Sequence, residues 1–360
     1  MKNTFGQSVT VTLFGESHGE YIGAVLDGLT PGIAIDEAFI RHQLSLRRPQ
    51  GKISTTRVEA DEFQIVSGVF EGRTTGTPLC ILIPNTNTRS SDYNRNIPRP
   101  GHADYAAECK YHGNQDPRGG GHFSGRITAA LVAAGAIAIS ALRQNGILIG
   151  THISRISDIC DRSFNSYESD IETLADLTFP VLDPAKADVM RACIEDAASE
   201  GDSVGGILET AVIGLPAGVG EPWFDSVEGV LSHALFSIPA IKGVEFGTGF
   251  GFADLTGSQA NDAFRMEGDR VITTTNHNGG INGGITNGMP VLFRCAVKPT
   301  PSIFKEQQSV DLESKADTIV TLTGRHDPAI IHRARVVVDS VAALALCDLL
   351  ALRFGTDFLK

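Results

Sequence analysis

A chain of 360 residues with 42% hydrophobic content is long enough to bury roughly 75% of the surface its unfolded form exposes, so it needs neither disulfides nor a structural metal to fold. The formal net charge of −12 argues against a nucleic-acid binder that works through a broadly basic face, because phosphate neutralisation carries most of that affinity. Any anion site must therefore be local.

The N-terminal "MKNTFGQSVTVTLFGESHG" lacks the basic start, apolar run and small-residue cleavage site of a signal peptide. The six cysteines (80, 109, 160, 193, 295 and 347) show no CxxC pairing and sit mostly in apolar surroundings. That is the pattern of reduced, buried thiols in a cytoplasmic protein. The first β-type runs are "SVTVTLFG" and "IGAVLDG", followed by a helix-like stretch opening at Asp36 and the strand "TPLCILIPN". A helix apolar nearly all round then covers Ile127 to Leu142. Residues 155 to 200 are the most polar region and are expected to form an excursion outside the core. The strands "GGILETAVIG" and "MPVLFRCAVKP" flank a helix-like stretch opening at Asp225. A second all-round apolar helix, Val336 to Leu352, carries Asp339 and Asp348 and so reads as a core helix rather than a membrane span. Helices covered on every side imply layers, with sheets outside and helices within.

An internal echo runs through these elements. "IGAVLDGLTPG" (Ile22 to Gly32) returns in outline as "VGGILETAVIGLPAG" (Val204 to Gly218), each followed by a helix opening with Asp. "VSGVF" and "LTGSQ" then place Gly68 opposite Gly257, and "TTGTPLCILIPNT" is mirrored by "TNGMPVLFRCAVKPT". The preserved order implies two related halves, roughly 1–150 and 200–352, within one domain spanning 1–360. Chance similarity of common β-turn-α patterns is the other explanation.

Five polar clusters interrupt the apolar framework. "GESHG" puts Glu16, Ser17 and His18 at a strand end, where a histidine can titrate near neutrality, or it is a plain turn. "RPGHADY" brings His102 and Asp104 after a turn set by Pro100 and Gly101; together with His112 and His122 they show no metal-ligand spacing, and a surface loop is the alternative. "DPRGGGHFSGR" (Asp116 to Arg126) is neither a P-loop nor a GxGxxG turn, yet its glycines and the helix start near Gly125 suit an anion, against a purely structural turn. "NHNGGINGGITNG" followed by "KPTPS" leaves a groove for a flat ring, or forms a flexible hairpin. "GRHDP" sets Arg325 and Asp327 at a helix entry, for an anion and a proton-transfer group, or with Asp327 as N-cap before an N1 proline. Arg47, Arg48, Arg99, Arg118, Arg126 and Arg325 lie in or beside these clusters although the chain is acidic. Planar forks of this kind grip carboxylate and phosphate, so the residues point to an enzyme for a small phosphorylated acid with histidine acid/base groups.

In this order and at these spacings the five motifs resemble the chorismate synthase family, from about Phe5 to Leu352. The resemblance implies an α+β fold, a β-α-β sandwich of two sheets enclosing long helices with an internal pseudo-twofold repeat. It implies a carbon–oxygen lyase that converts 5-enolpyruvylshikimate 3-phosphate to chorismate, with reduced FMN as cofactor and no net redox change. It further implies a cytoplasmic homotetramer with a small-molecule substrate and neither nucleic acid nor membrane as partner. Some members reduce FMN with NADPH and most bacterial ones use free reduced flavin, which calls for a separate flavin reductase.

By that resemblance His18 protonates the departing phosphate, His102 stabilises the reduced flavin, and Asp327 assists proton removal, with Ser17 and Ser124 in support. Arg47, Arg99, Arg126 and Arg325 hold the substrate anions, and Lys52 is the nearest candidate for a further basic position. FMN contacts fall on His122, Phe123, Ser124, Pro239, Ala240, Gly283, Lys298, Pro299, Thr300, Pro301, Ser302 and Arg325. The chain departs from the family's usual "RGGGRSSARET" at His122, Phe123 and Ile127. Either Lys298 takes over from the missing arginine or FMN is held less firmly, and a non-catalytic flavin-binding relative stays open as the alternative.

Overall fold

The computed structural model describes residues 2–49, 51–55, 59–87, 95–324 and 326–360. Among these, two five-stranded sheets carry the architecture, antiparallel at every pairing. The first has the spatial order β1 (Thr4–Phe5), β2 (Thr10–Gly15), β3 (Tyr21–Asp27), β5 (Leu79–Pro84), β4 (Gln64–Ser67). The second has the order β7 (Ile159–Cys160), β6 (Leu148–Ile156), β8 (Gly206–Ile213), β10 (Val291–Val297), β9 (Ile241–Phe246). The two orders correspond over four strands and differ at one edge, where β1 precedes its neighbour β2 in the chain but β7 follows its neighbour β6.

The helices repeat in step. After β3 comes α1 (Glu37–Leu46), whose N-cap Asp36 accepts from Phe39 N at 2.9 Å, as the sequence implies. After β8 comes α6 (Val227–Leu235), but here Ser226 is the cap and accepts from Gly229 N at 2.9 Å, while Asp225 lies in the preceding turn. The long helices α3 (Thr128–Gln144) and α7 (Ile331–Phe354) follow β5 and β10 and pack on each other between the sheets. One piece of the echo is corrected. Gly68 follows β4 with φ +83 against the backbone of Leu79, whereas Gly257 opens a short helical turn. Gly247 stands in the equivalent place: it follows β9 with φ +54 and donates its N–H to Leu292 O. Helical turns inserted at Gly249–Asp254 and Gly257–Ala260 displace the residue count.

The α3–α7 contact explains why both sequences are rich in small residues. A Cβ on Gly135 would lie 2.2 Å from Ser340 Cβ, so only glycine lets the axes meet there. From Ile331 to Ala351 every residue of α7 except Arg333 is buried, and each fully buried Leu, Ile or Val contributes about 1.5–3 kcal/mol. The segment Gly125–Gln144 is long and apolar enough to cross a membrane, yet it is 83% buried inside the fold. Two carboxylates in α7 fasten this core to the sheets. Asp348 accepts the backbone N–H groups of Gln7, Ser8 and Val9, and Asp339 accepts from Thr151 Oγ1 at 2.6 Å beside Arg335. Burial pushes the Asp339 carboxyl above its ordinary value.

Between β7 and β8, α4 (Tyr167–Leu174) and α5 (Pro184–Ser199) correct the expectation of an excursion outside the core. Ile171 packs where Gly150 of β6 leaves room, and Met190 and Ile194 are fully buried with the central cluster. Their polar faces dominate the composition, which hid the apolar stripes. Nor are the thiols uniformly buried: Cys295 and Cys347 are, but Cys109 and Cys160 are exposed. The remaining helix, α2 (Asp104–Tyr111), starts within "RPGHADY" and leads to the glycine run.

Candidate active site

Gly119, Gly120 and Gly121 all take positive φ (61°, 83° and 53°), each against a different neighbour. A Cβ on Gly119 would sit 2.3 Å from His18 Cε1 and 2.8 Å from Ser17 Oγ. On Gly120 it would sit 3.0 Å from His102 Cε1, and on Gly121 2.1 Å from Asp116 O. The run is therefore a spacer with no side chains, and it admits two histidines against adjacent residues whose Cα atoms are about 3.8 Å apart. Ser17 N donates to Gly121 O at 3.0 Å, and Nδ1 of His122 lies 2.7 Å from Gly15 O. Because a carbonyl only accepts, His122 carries its proton on Nδ1. Ser17 Oγ is buried without a hydrogen-bond partner among the described residues.

His102 is fixed from behind. Its Nδ1 lies 2.6 Å from Asp104 Oδ1, and Arg99 grips the same carboxylate through Nε at 2.7 Å and Nη2 at 2.8 Å. Burial alone would raise the Asp104 pKa, but the hydrogen bonds from Arg99 and His102 outweigh it and hold the group well below the usual carboxylate range. An ionised Asp104 keeps the imidazole in one orientation, with Nε2 turned toward Gly120.

Asp327 accepts from Thr55 N at 3.0 Å and pairs with Arg333. It does not cap the last helix, which starts at Ile331 after Ile330. At the second position of that helix, burial and the Arg333 charge push the His332 imidazole down to about 3, so it stays neutral against Ser54.

His102 and Asp327 line one cavity of about 760 Å³, which also receives His122, Phe123, Ser124, Pro239, Ala240, Lys298, Thr300, Pro301 and Ser302. Its floor is apolar, with Leu131, Val341 and Leu344 from the two core helices and Ile127 just before the first of them. One wall is Phe5 set edge-on to His233 at 5.4 Å. Lys298 donates to Gly101 O, and burial together with the nearby Lys242 charge pulls its pKa down. Thr300 Oγ1 is buried in this wall without a partner among the described residues.

Other expected residues lie elsewhere. Ser17 and His18 sit behind the glycine run rather than in the cavity wall, and Pro299 and Gly283 do not line it; Gly283 belongs to the hairpin Ile281–Asn282 and Ile285–Thr286. Arg47 and Arg126 are buried behind Gly125 and Thr128, sharing Asp61. Burial first, with Arg333 and Arg126 adding to it and Asp61 opposing, lowers the Arg47 guanidinium to about 10. Lys52 is exposed in the turn Gly51–Ile53, and Arg118 is half-exposed on Asp116. Arg325 lies outside the described residues. Sequence reasoning missed Asp61, Arg333, Lys242, Phe5 and His233. Of these only His233 and Lys242 lie near assigned contacts, Pro239 and Ala240; the others are single residues in unremarked surroundings.

Two histidines against successive glycines, one of them backed by an ionised carboxylate and lining an apolar cavity with a cationic end, are an arrangement capable of acid–base chemistry on a small anion within an α+β sandwich. The family model described as chorismate synthase matches residues 9–351. A chorismate synthase of Aeropyrum pernix is 45% identical over 98% of this chain and 93% of its own length, and one of Parabacteroides distasonis is 44% identical over 98% of each. A solved structure titled as chorismate synthase superposes with a TM-score of 0.77 at 29% identity, covering 97% of this chain and 94% of that one. The chain belongs to the chorismate synthase family, and it is a lyase.

Proposed function

We propose that this chain converts 5-enolpyruvylshikimate 3-phosphate to chorismate by 1,4-anti elimination of phosphate and a ring hydrogen, with reduced FMN in the 760 Å³ cavity. The observation that carries the mechanism is the placing of His18 and His102 against successive glycines, with His102 also lining that cavity. The cavity fits the cofactor. Its volume falls within the roughly 300–1,000 Å³ of ligand sites, its floor is apolar as a flat ring requires, and Lys298, Lys242 and the unpartnered Thr300 hydroxyl offer donors to a phosphate tail.

Phosphate leaves poorly as a dianion. His18 donates the proton that offsets the developing charge, while Arg47, Arg99, Arg126 and Arg325, with Lys52, hold the phosphate and carboxylates. His102, oriented by Asp104, would hold the flavin through Nε2, and Asp327, held by Thr55 and Arg333, assists removal of the ring proton. Ser124 adds to the polar lining and Ser17 supports His18 from behind the glycine run, while Gly283 and Pro299 are the cofactor contacts that sit outside the cavity wall of the single chain. The chemistry that reduced FMN supplies when bound is transient electron density for the allylic system.

The reading extends to a single catalytic unit over 1–360, built of two halves, that acts as a cytoplasmic homotetramer. Trp223, Phe224, Phe250 and Phe264 are each more than two-thirds exposed, as association surfaces are. Reducing electrons come from a separate flavin reductase or from NADPH. Anaerobic incubation of the folded protein with reduced FMN and the enolpyruvyl substrate, with and without NADPH, tests both points. Phosphate and chorismate in equal amounts are expected; no product from folded, FMN-loaded protein overturns the reading.

A further inference from the structure

Behind Gly125 and Thr128, which line the cavity, three charged side chains share one buried pocket: Asp61, Arg47 and Arg126 are 1%, 8% and 4% exposed. Asp61 spans the two cations, with Oδ1 on Arg126 Nη1 and Oδ2 on Arg47 Nη1 at 3.5 Å. The other nitrogens are aimed by neutral acceptors. Arg47 donates from Nε to Thr128 Oγ1 at 2.8 Å and from Nη2 to Gly125 O at 2.6 Å. Arg126 donates from Nε to Asn85 Oδ1 at 2.8 Å and from Nη2 to Pro84 O at 3.2 Å. Asn85 in turn donates from Nδ2 to Glu16 O at 3.0 Å and Gly19 O at 2.8 Å, the carbonyls on either side of Ser17 and His18. A continuous chain of polar contacts thus joins Asp61 to the turn that carries His18. Asp61 also holds φ +53, which non-glycine residues adopt rarely and keep only where the surroundings impose it.

We propose that Asp61 and Asn85 are positioning residues: Asp61 fixes the Arg47 and Arg126 forks as one receptor of net single positive charge, and Asn85 ties that receptor to the His18 turn. The inference rests on the reading of Arg47 and Arg126 as substrate-anion ligands. One carboxylate between two buried guanidiniums cancels their mutual repulsion yet leaves an excess charge to attract phosphate or carboxylate. Each guanidinium has five N–H donors, so the bonds named above leave at least one on each for substrate. The groups that set the charge of Arg47 are Asp61, Arg126, Arg333 and Asp327. Of the two carboxylates Asp61 acts more strongly, so its neutralisation makes Arg47 easier to deprotonate.

The test is steady-state kinetics of FMN-loaded enzyme across pH, comparing Asp61→Asn, Asp61→Glu, Asn85→Ala and Arg126→Gln with the parent. A fork displaced by about 1 Å costs on the order of 10²-fold, so Asp61→Asn is expected to raise KM for substrate by about that factor with a smaller change in kcat. Its KM also climbs at lower pH than the parent's, as Arg47 loses its proton more readily. Asp61→Glu keeps the charge and restores the parent's profile while KM stays raised. Asn85→Ala lowers kcat more than it raises KM. Folded Asp61→Asn with the parent's KM and the parent's profile overturns the proposal. Should that variant fail to fold, Asp61→Glu with an unchanged KM, or Asn85→Ala with an unchanged kcat, overturns it equally. Arg126→Gln separates the two levels: if its KM is unchanged the reading of the arginines fails, and if its KM rises while Asp61→Asn is silent only the positioning role fails.

Discussion

Gly119→Ala is the sharpest perturbation the site allows. The added Cβ would lie 2.3 Å from His18 Cε1, against 3.4 Å or more in ordinary contact, so the imidazole must withdraw by about 1.1 Å. What it meets is a side chain that can yield, so the fold loses only the backbone strain of alanine at positive φ, about 1–2 kcal/mol. Misplacing a reacting group by about 1 Å costs on the order of 10² in rate. The variant is therefore expected to fold and to bind FMN, yet to turn over about a hundredfold more slowly. Gly121→Ala provides the contrast. There the Cβ meets the Asp116 carbonyl at 2.1 Å, which cannot step aside without moving backbone. Its damage should appear in the thermal melt, at about 1–1.5 °C per kcal/mol lost, before it appears in the chemistry of surviving molecules. Chromophore-based chorismate assays alongside calorimetry read both. A Gly119→Ala enzyme with full kcat would refute the argument that the glycine run exists to admit His18.

Two further outcomes concern stability. Asp348→Asn removes the charge that gathers the N–H groups of Gln7, Ser8 and Val9, so urea unfolding should show a loss of about 1.5–3 kcal/mol; a loss under about 0.5 kcal/mol would deny that anchor a role. His152 is wholly buried between Asp161 at 2.8 Å and Glu209 at 3.1 Å. Burial pulls its pKa down, but the two carboxylates outweigh that and raise it above the ordinary value. A raised folded pKa gives stability that is fully present below about 6.5, the unfolded value, and is lost as pH rises through the folded one. The unfolding midpoint should therefore fall as pH rises above about 6.5, and His152→Gln should flatten that fall; an unchanged slope would remove His152 as its source.

Much of this arrangement is legible before any coordinates. Long runs such as "ITAALVAAGAIAISAL" have no polar stripe to present to water, so burial on all sides follows from composition alone. Motifs whose residues are neighbours in sequence, such as His102 with Asp104, kept their partnership because three residues cannot separate far. Asp61 and Asn85 were illegible for the opposite reason. Each is one polar residue in a loop, and its meaning comes from arginines 14 and 65 positions away and from a turn 66 to 69 positions away. The glycine run taught something different. Its sequence suited an anion cradle, but which side of a glycine is crowded depends on what packs there, and here it is imidazole. Gly257 was matched to Gly68 because turn glycines look alike in sequence; only strand order shows Gly247 to be the counterpart.

The central claim, that His18 delivers the proton with which phosphate departs, is tested most directly by single-turnover phosphate release. His18→Ala and the parent, each preloaded with reduced FMN under anaerobic conditions, are mixed with saturating substrate. The account predicts release slowed by about 10² to 10⁴ in the variant while substrate affinity is retained. Release at the parent's rate would contradict it.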